Sequence, residues 1–282
     1  MQYPTLSEHF TQAQRIIAQQ KEYGIIEFST GLRFLDDLTG GMKRGEIWII
    51  SGKTGAGKTA LAMQMVRNFA DNPKHSILIL SLELKGWQLA LRMYCEMNGI
   101  DFSALSNNKI DFDPELIKIF EDYIQKVDIE IIESGYIFSE VEEIIKNYYE
   151  TKTPDIIFLD FIQQIQWKDF REERLALMEY IRKIKELANK TNIGFVIVSQ
   201  LRRLPSGADY LRPPDLQDLM GSGSLEQMAD KVLFIYKTII KEQTTGFSYE
   251  QYFINIAKNR QGKIMQQEVI YKGESYHFKD IV

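Results

Sequence analysis

Short, unbroken apolar runs alternate with amphipathic stretches along most of the chain. The runs at 47–50, 77–82, 129–132, 156–159, 195–198 and 232–236 have strand length, and continuous apolar runs of that length predict strands buried on both faces. Between most of them, residues 88–97, 114–127, 140–149 and 174–189 show apolar positions at helical spacing. This alternation predicts crossover units and a largely parallel sheet covered by helices. Three later strands, expected at 249–257, 267–271 and 276–279, are separated only by short turns, which predicts antiparallel pairing at one edge. The expected fold class is therefore α/β, a mostly parallel twisted sheet flanked by helices with antiparallel strands at the C-terminal edge.

Ahead of the first strand, residues 28–46 hold a short helical patch between glycine turns. Further upstream, Leu6, Phe10, Ala13, Ile16 and Ile17 recur at helical spacing, Thr5 and Glu8 form a capping-box signature, and Gly24 ends the helix. That helix either packs on its own domain or reaches a neighbouring subunit. With no internal repeat, low-complexity tract or long linker, residues 1–24 read as a helical extension and 25–282 as one domain.

The 282 residues are 44% apolar and 26% charged, enough for a sizeable core in an ordinary globular protein. No apolar run approaches the roughly twenty residues that span a bilayer, and the N-terminus lacks the pattern of a signal peptide, so no membrane association and a cytoplasmic location are expected. The single cysteine, Cys95, has no partner for a disulfide and no companion at metal-ligand spacing, and reads as a small hydrophobe on a helix. His9, His75 and His277 are scattered and carry no expected chemistry. A net charge of −5 argues against a surface coated with cations, so any nucleic acid must be met by a few local groups.

The chemistry concentrates at strand ends. Gly52-Lys53-Thr54-Gly55-Ala56-Gly57-Lys58-Thr59 joins the first strand to a helix, and such a glycine-rich loop cradles phosphates with its backbone N–H groups. Lys58 would reach the terminal phosphates and the Thr59 hydroxyl would face Mg2+. Gly52, Gly55, Gly57, Lys58, Thr59 and Ala60 are the candidate nucleotide-binding positions. In open α/β sheets ligands bind at the carboxyl ends of the strands, which singles out Glu83, Asp160 and Gln200. Asp160 fits the carboxylate that holds magnesium beside the loop threonine, Glu83 could polarise an attacking water, and Gln200 could sense or orient the terminal phosphate. Lys258 and Arg260 stand two apart at a turn between strands, either as a solvated hairpin or as cations directed at a nucleotide held by an adjacent subunit.

From about residue 28 to 278 these motifs, in order, resemble the ATPase domain of DnaB-type replicative DNA helicases, a RecA-like fold that works as a hexameric ring. The resemblance rests on Ser29-Thr30-Gly31 to Gly41, the phosphate loop, Ser81-Leu82-Glu83-Leu84 with Gln88-Leu89 and Arg92, and Leu159-Asp160-Phe161-Ile162-Gln163. It continues through Ser199-Gln200-Leu201 with Arg203, Asp218-Leu219 to Gly223, Glu226-Gln227-Met228-Ala229-Asp230, and Lys258-Asn259-Arg260-Gln261-Gly262. The resemblance implies ATP bound between subunits, Glu83 as catalytic base, Asp160 serving Mg2+, Gln200 on the terminal phosphate, and Lys258 and Arg260 acting in trans. It also implies single-stranded DNA in the centre of the ring, met by Arg203 and by backbone amides around Met220, Gly221 and Gly223. Arg202, Arg212, Lys168, Arg171 and Arg174 are further cations expected near that channel. A primase or helicase loader is an implied partner.

Three departures from the family pattern stand out. Met220-Gly221 replaces the common Arg-Glu, the phosphate loop is closer to the recombinase-like form, and the supporting N-terminal domain has no counterpart in this sequence, leaving a helix that corresponds in position to the family's linker helix. The competing readings are a recombinase-like or clock-type ATPase that switches assembly without unwinding DNA, and a module that loads or regulates another helicase.

Overall fold

The computed structural model describes residues 5–7, 10–11, 14, 28–133, 138–160, 162, 173–202, 212–220, 222–241 and 248–281. Among these, nine strands form one sheet: β1 (Ile47–Gly52), β2 (Ser76–Ser81), β3 (Asp128–Ile132), β4 (Ile156–Asp160), β5 (Gly194–Gln200), β6 (Lys231–Lys241), β7 (Ser248–Asn259), β8 (Met265–Lys272) and β9 (His277–Asp280). Their order is β3-β2-β4-β5-β1-β6-β7-β8-β9. All pairs from β3 to β6 are parallel, and β7, β8 and β9 add antiparallel strands, as the spacing of turns predicts.

The unbroken apolar runs have a simple cause. Successive side chains in a strand point to opposite faces. Trp48, Ile50, Ile77, Ile79, Ile156, Phe158, Val196 and Val198 enter one buried cluster, while Ile47, Ile49, Leu78, Leu80, Ile157, Leu159, Phe195 and Ile197 enter another. The first cluster is closed by helix Lys58–Ala70 and the second by helix Glu173–Thr191. The run at 129–132 departs from the expectation: β3 pairs only with β2, and its residues are half-buried or exposed because an edge strand is covered on fewer sides.

Further helices span Arg33–Thr39, Gly86–Asn98, Pro114–Ile124 and Phe138–Thr151, with shorter ones at Phe102–Ser106 and Ser222–Met228 that periodicity did not reveal. Cys95 lies fully buried on helix Gly86–Asn98, and burial pushes its thiol up to about 11. The proposed N-terminal helix falls largely outside the described residues. No described helix is long and apolar enough to cross a membrane.

Long-range pairs tie the C-terminal hairpin to the start of the domain. Asp280 accepts from the backbone N–H groups of Arg33 (2.7 Å) and Phe34 (3.4 Å), capping a helix whose own N-cap residue, Leu32, has no capping side chain. The Gln64 amide donates to the Phe278 carbonyl at 2.9 Å and accepts from the Phe278 N–H at 2.8 Å, so one side chain pairs with the last strand.

Candidate functional site

Strand order places the phosphate loop at a reversal of chain direction. From β1 the chain crosses over two neighbours to reach β2, and from β5 it crosses back over β1 to β6, so the crevice opens where β1 and β5 end side by side. The register puts Gly52 opposite Gln200 and Ser81 opposite Asp160. Four of the predicted site elements thereby reach one end of the sheet.

The loop's glycines are dictated by geometry. Gly57 is the N-cap of helix Lys58–Ala70 with φ 97°, in the left-handed region, and a Cβ there would lie 2.8 Å from Cζ of Phe278. At Gly52 a Cβ would lie 2.4 Å from the carbonyl oxygen of Ile235. No side chain caps this helix, which leaves its first-turn N–H groups directed at the loop, where an anion satisfies them.

A cavity of about 240 Å³ is lined by the loop together with Glu83, Asp160 and Gln200, and also by Arg92, Tyr271 and Tyr276. Lys58 is buried and its Nζ donates to the Lys53 carbonyl at 3.0 Å. Burial lowers the Lys58 ammonium below its ordinary value, opposed by the Asp160 and Glu83 carboxylates. The Thr59 hydroxyl donates to Oδ2 of Asp160 at 2.9 Å. Asp160 is 6% exposed, and its Oδ1 is buried without a hydrogen-bond partner among the described residues. Burial pushes this carboxyl up to about 6, against the Thr59 hydrogen bond, while Glu83 adds repulsion. A buried, unpaired carboxylate oxygen next to a threonine hydroxyl is a donor set suited to Mg2+, which takes one or two protein oxygens and fills its remaining positions with phosphate and water. Glu83 stands exposed at the rim.

Arg92 was not assigned a role by sequence reasoning. It projects from helix Gly86–Asn98 with its guanidinium over the Tyr276 ring at 4.6 Å and the Phe102 ring at 5.7 Å. Its buried Nε has no hydrogen-bond partner among the described residues. An aromatic brace with unused donors leaves a second cation available in the phosphate cavity beside Lys58.

Lys258 and Arg260 lie elsewhere. Asn259 pairs with Lys231, which pairs with Trp48, so the β7–β8 turn sits beside the beginning of β1 while the phosphate loop follows its end. From Ile47 to Gly52 that is about 17 Å of strand, beyond the reach of an arginine side chain. Within the chain, Lys258 Nζ donates to the Glu226 carbonyl, Arg260 donates to the Gln227 carbonyl, and Arg260 lies 3.3 Å from Asp230 Oδ1.

The expected DNA-contacting residues are only partly described. Arg203 and Gly221 fall outside the described residues, as do Lys168, Arg171 and the Arg174 side chain. Met220 is a half-buried turn residue, and Gly223 lies in the first turn of helix Ser222–Met228 rather than in a loop. Arg202 and Arg212 are engaged internally. The Arg212 guanidinium meets both oxygens of fully buried Asp218 at 2.7 Å, and Arg202 stands 3.9 Å away. Burial opposes ionisation of Asp218, but the Arg212 fork and the Asp215 N–H hold its carboxyl below the usual range.

The sequence profile of the DnaB-like helicase C terminal domain matches residues 27–280. The chain belongs to this family. Among curated relatives, the replicative DNA helicase DnaB of Helicobacter pylori is 29% identical over 279 residues, covering 95% of this chain and 55% of that protein. The chain thus spans about half the length of the DnaB helicase it matches. Among solved structures, the ATPase domain of G40P superposes with a TM-score of 0.82 at 23% identity, covering all of both chains. A DnaB-like replicative helicase studied for its interactions with primase gives 0.77 at 22% identity, covering 90% of this chain and 63% of that one. For a DnaB-like domain, the α/β sheet with its antiparallel C-terminal edge is the expected RecA-like arrangement.

Proposed function

We propose that this domain is the ATP-hydrolysing motor of a replicative DNA helicase. The reading is carried by one observation: the phosphate-side residues gather at one end of β1, whereas Lys258 and Arg260 are held at the other. Cations so placed cannot serve their own pocket, and a neighbouring copy in a ring can use them. The Gly52–Ala60 segment would hold the ATP phosphates, with Lys58 and Arg92 countering their charge. Thr59 and Asp160 would hold Mg2+, which when bound supplies charge neutralisation across the terminal phosphates.

Glu83, exposed at the rim of the same cavity, would accept a proton from the attacking water. Gln200, opposite Gly52, would report the terminal phosphate to the chain that follows it: Leu201 bridges to Leu219, and the Arg202 N–H donates to the Asp218 carbonyl at 2.8 Å. The same reading takes single-stranded DNA as the track, a hexameric ring as the assembly, a primase or loader as a partner and the cytoplasm as the setting, and membership of the DnaB-like family supports it. The test is ATP turnover with and without single-stranded DNA, alongside native mass and strand displacement. DNA-stimulated turnover by an assembled ring supports the reading; DNA-independent turnover by a monomer overturns it.

A further inference from the structure

Asp230 joins four parts of the fold at the end of the sheet remote from the phosphate loop. Its Oδ2 accepts from the Ile47 N–H at 2.9 Å and from Lys185 Nζ at 2.7 Å, and its Oδ1 faces the Arg260 guanidinium at 3.3 Å. The Asp230 backbone repeats the connection, its N–H donating to the Ile47 carbonyl at 2.8 Å and its carbonyl accepting from the Arg260 N–H at 3.0 Å. The Asp230 side chain is 13% exposed, whereas Arg260 keeps 44% of its own surface open. Arg260 is thus pinned, by backbone and by side chain, to the first residue of the strand that ends in the phosphate loop.

That attachment has a geometric consequence. The distance between a chain's own phosphate loop and its outward-facing arginine is set by β1, a central strand hydrogen-bonded on both sides. Around a closed ring the same distance fixes how far each arginine enters the next pocket. Lys185 shares the Asp230 carboxylate with Arg260, and the Gln227 carbonyl at the end of helix Ser222–Met228 takes another Arg260 N–H. A guanidinium fixed by one carboxylate and one carbonyl is aimed while keeping further N–H donors for another ligand.

We propose that Asp230 is the positioning residue that presents Arg260 to the triphosphate of the neighbouring copy. This rests on the reading above that Arg260 acts in trans. A residue that works only through a transition-state contact lowers kcat and leaves KM nearly unchanged.

The experiment is a double-mutant cycle on DNA-stimulated ATP turnover in the full chain, with melting temperature read in parallel. Arg260→Ala is expected to lower kcat about a hundred-fold or more. Asp230→Asn is expected to lower kcat about ten-fold with KM for ATP within about two-fold, and the double variant to be no slower than Arg260→Ala. Should the asparagine fail to fold, Asp230→Glu keeps the charge while displacing it, and the same cycle reads it. Equal loss from the Asp230 substitution in both backgrounds overturns the inference while leaving the trans reading intact. An Arg260→Ala variant with full turnover brings down the trans reading and this inference with it.

Discussion

Thr59 donates its hydroxyl to Asp160 across 2.9 Å, joining the phosphate-loop helix to the end of β4. The other Asp160 oxygen is buried without a hydrogen-bond partner among the described residues, so the carboxylate is costly to the metal-free fold. Burial raises its pKa from 3.8 to about 6, so between those values the folded chain binds more protons than the unfolded one. By linkage, stability falls as pH rises through that window and stays low above it, a contribution of about 3 kcal/mol. Asp160→Asn is expected to abolish ATP turnover yet melt higher than the parent above pH 6 in EDTA, the gap closing as pH approaches 4. Melting curves against pH check both signs.

Gly57→Ala tests the cradle. The residue has φ 97° and its new methyl would meet Phe278 at 2.8 Å, so we expect a loss of about 2 kcal/mol in urea unfolding together with loss of nucleotide binding. Gly55, at φ 77° with nothing within 4 Å, provides the control, since alanine there meets backbone strain alone and should cost about 1 kcal/mol.

Arg92→Ala is expected to reduce kcat/KM for ATP about ten-fold, the effect of removing one charge-assisted contact from a phosphate. Arg92→Lys should restore little of it, because a point charge lacks the plane that stacks on Tyr276 and Phe102. Full recovery with lysine would show that charge alone suffices. Steady-state kinetics at saturating DNA distinguish the two.

Lys231 is fully buried and bonds both Glu46 oxygens, at 2.8 and 2.9 Å. Lys231→Met strands the Glu46 carboxylate and is expected to cost about 4 kcal/mol in urea unfolding. Adding Glu46→Gln removes that charge and should recover most of the loss, while retaining an acceptor for the Trp48 indole N–H, now 2.8 Å from Glu46 Oε2.

Much of this architecture could be read from residue order because the central strands are apolar on both faces, which marks both their position and their depth. The glycine-rich loop was legible for a similar reason: Gly52, Gly57, Lys58 and Thr59 fall within one continuous segment between β1 and helix Lys58–Ala70. Residues whose meaning depends on distant partners were not. Arg92 needs Tyr276 from the C-terminal hairpin, and Asp230 needs Ile47, Lys185 and Arg260 before it looks different from any acidic residue at a strand start. The pairing of Arg202 and Arg212 with Asp218 was likewise not legible, because the carboxylate that meets them is marked by nothing in their own segments. The β3 run was legible as a strand but not as an edge, because sheet order depends on crossovers that periodicity does not encode.

The Gln64 amide sewn to Phe278 links residues 214 positions apart, and the Phe278 ring also shuts against Gly57. A ribosome emits the phosphate loop long before it emits the strand that braces it. The loop-bearing helix must therefore wait, with one side uncovered, until synthesis has passed residue 278, and a nascent chain should acquire tight nucleotide affinity only in that final interval.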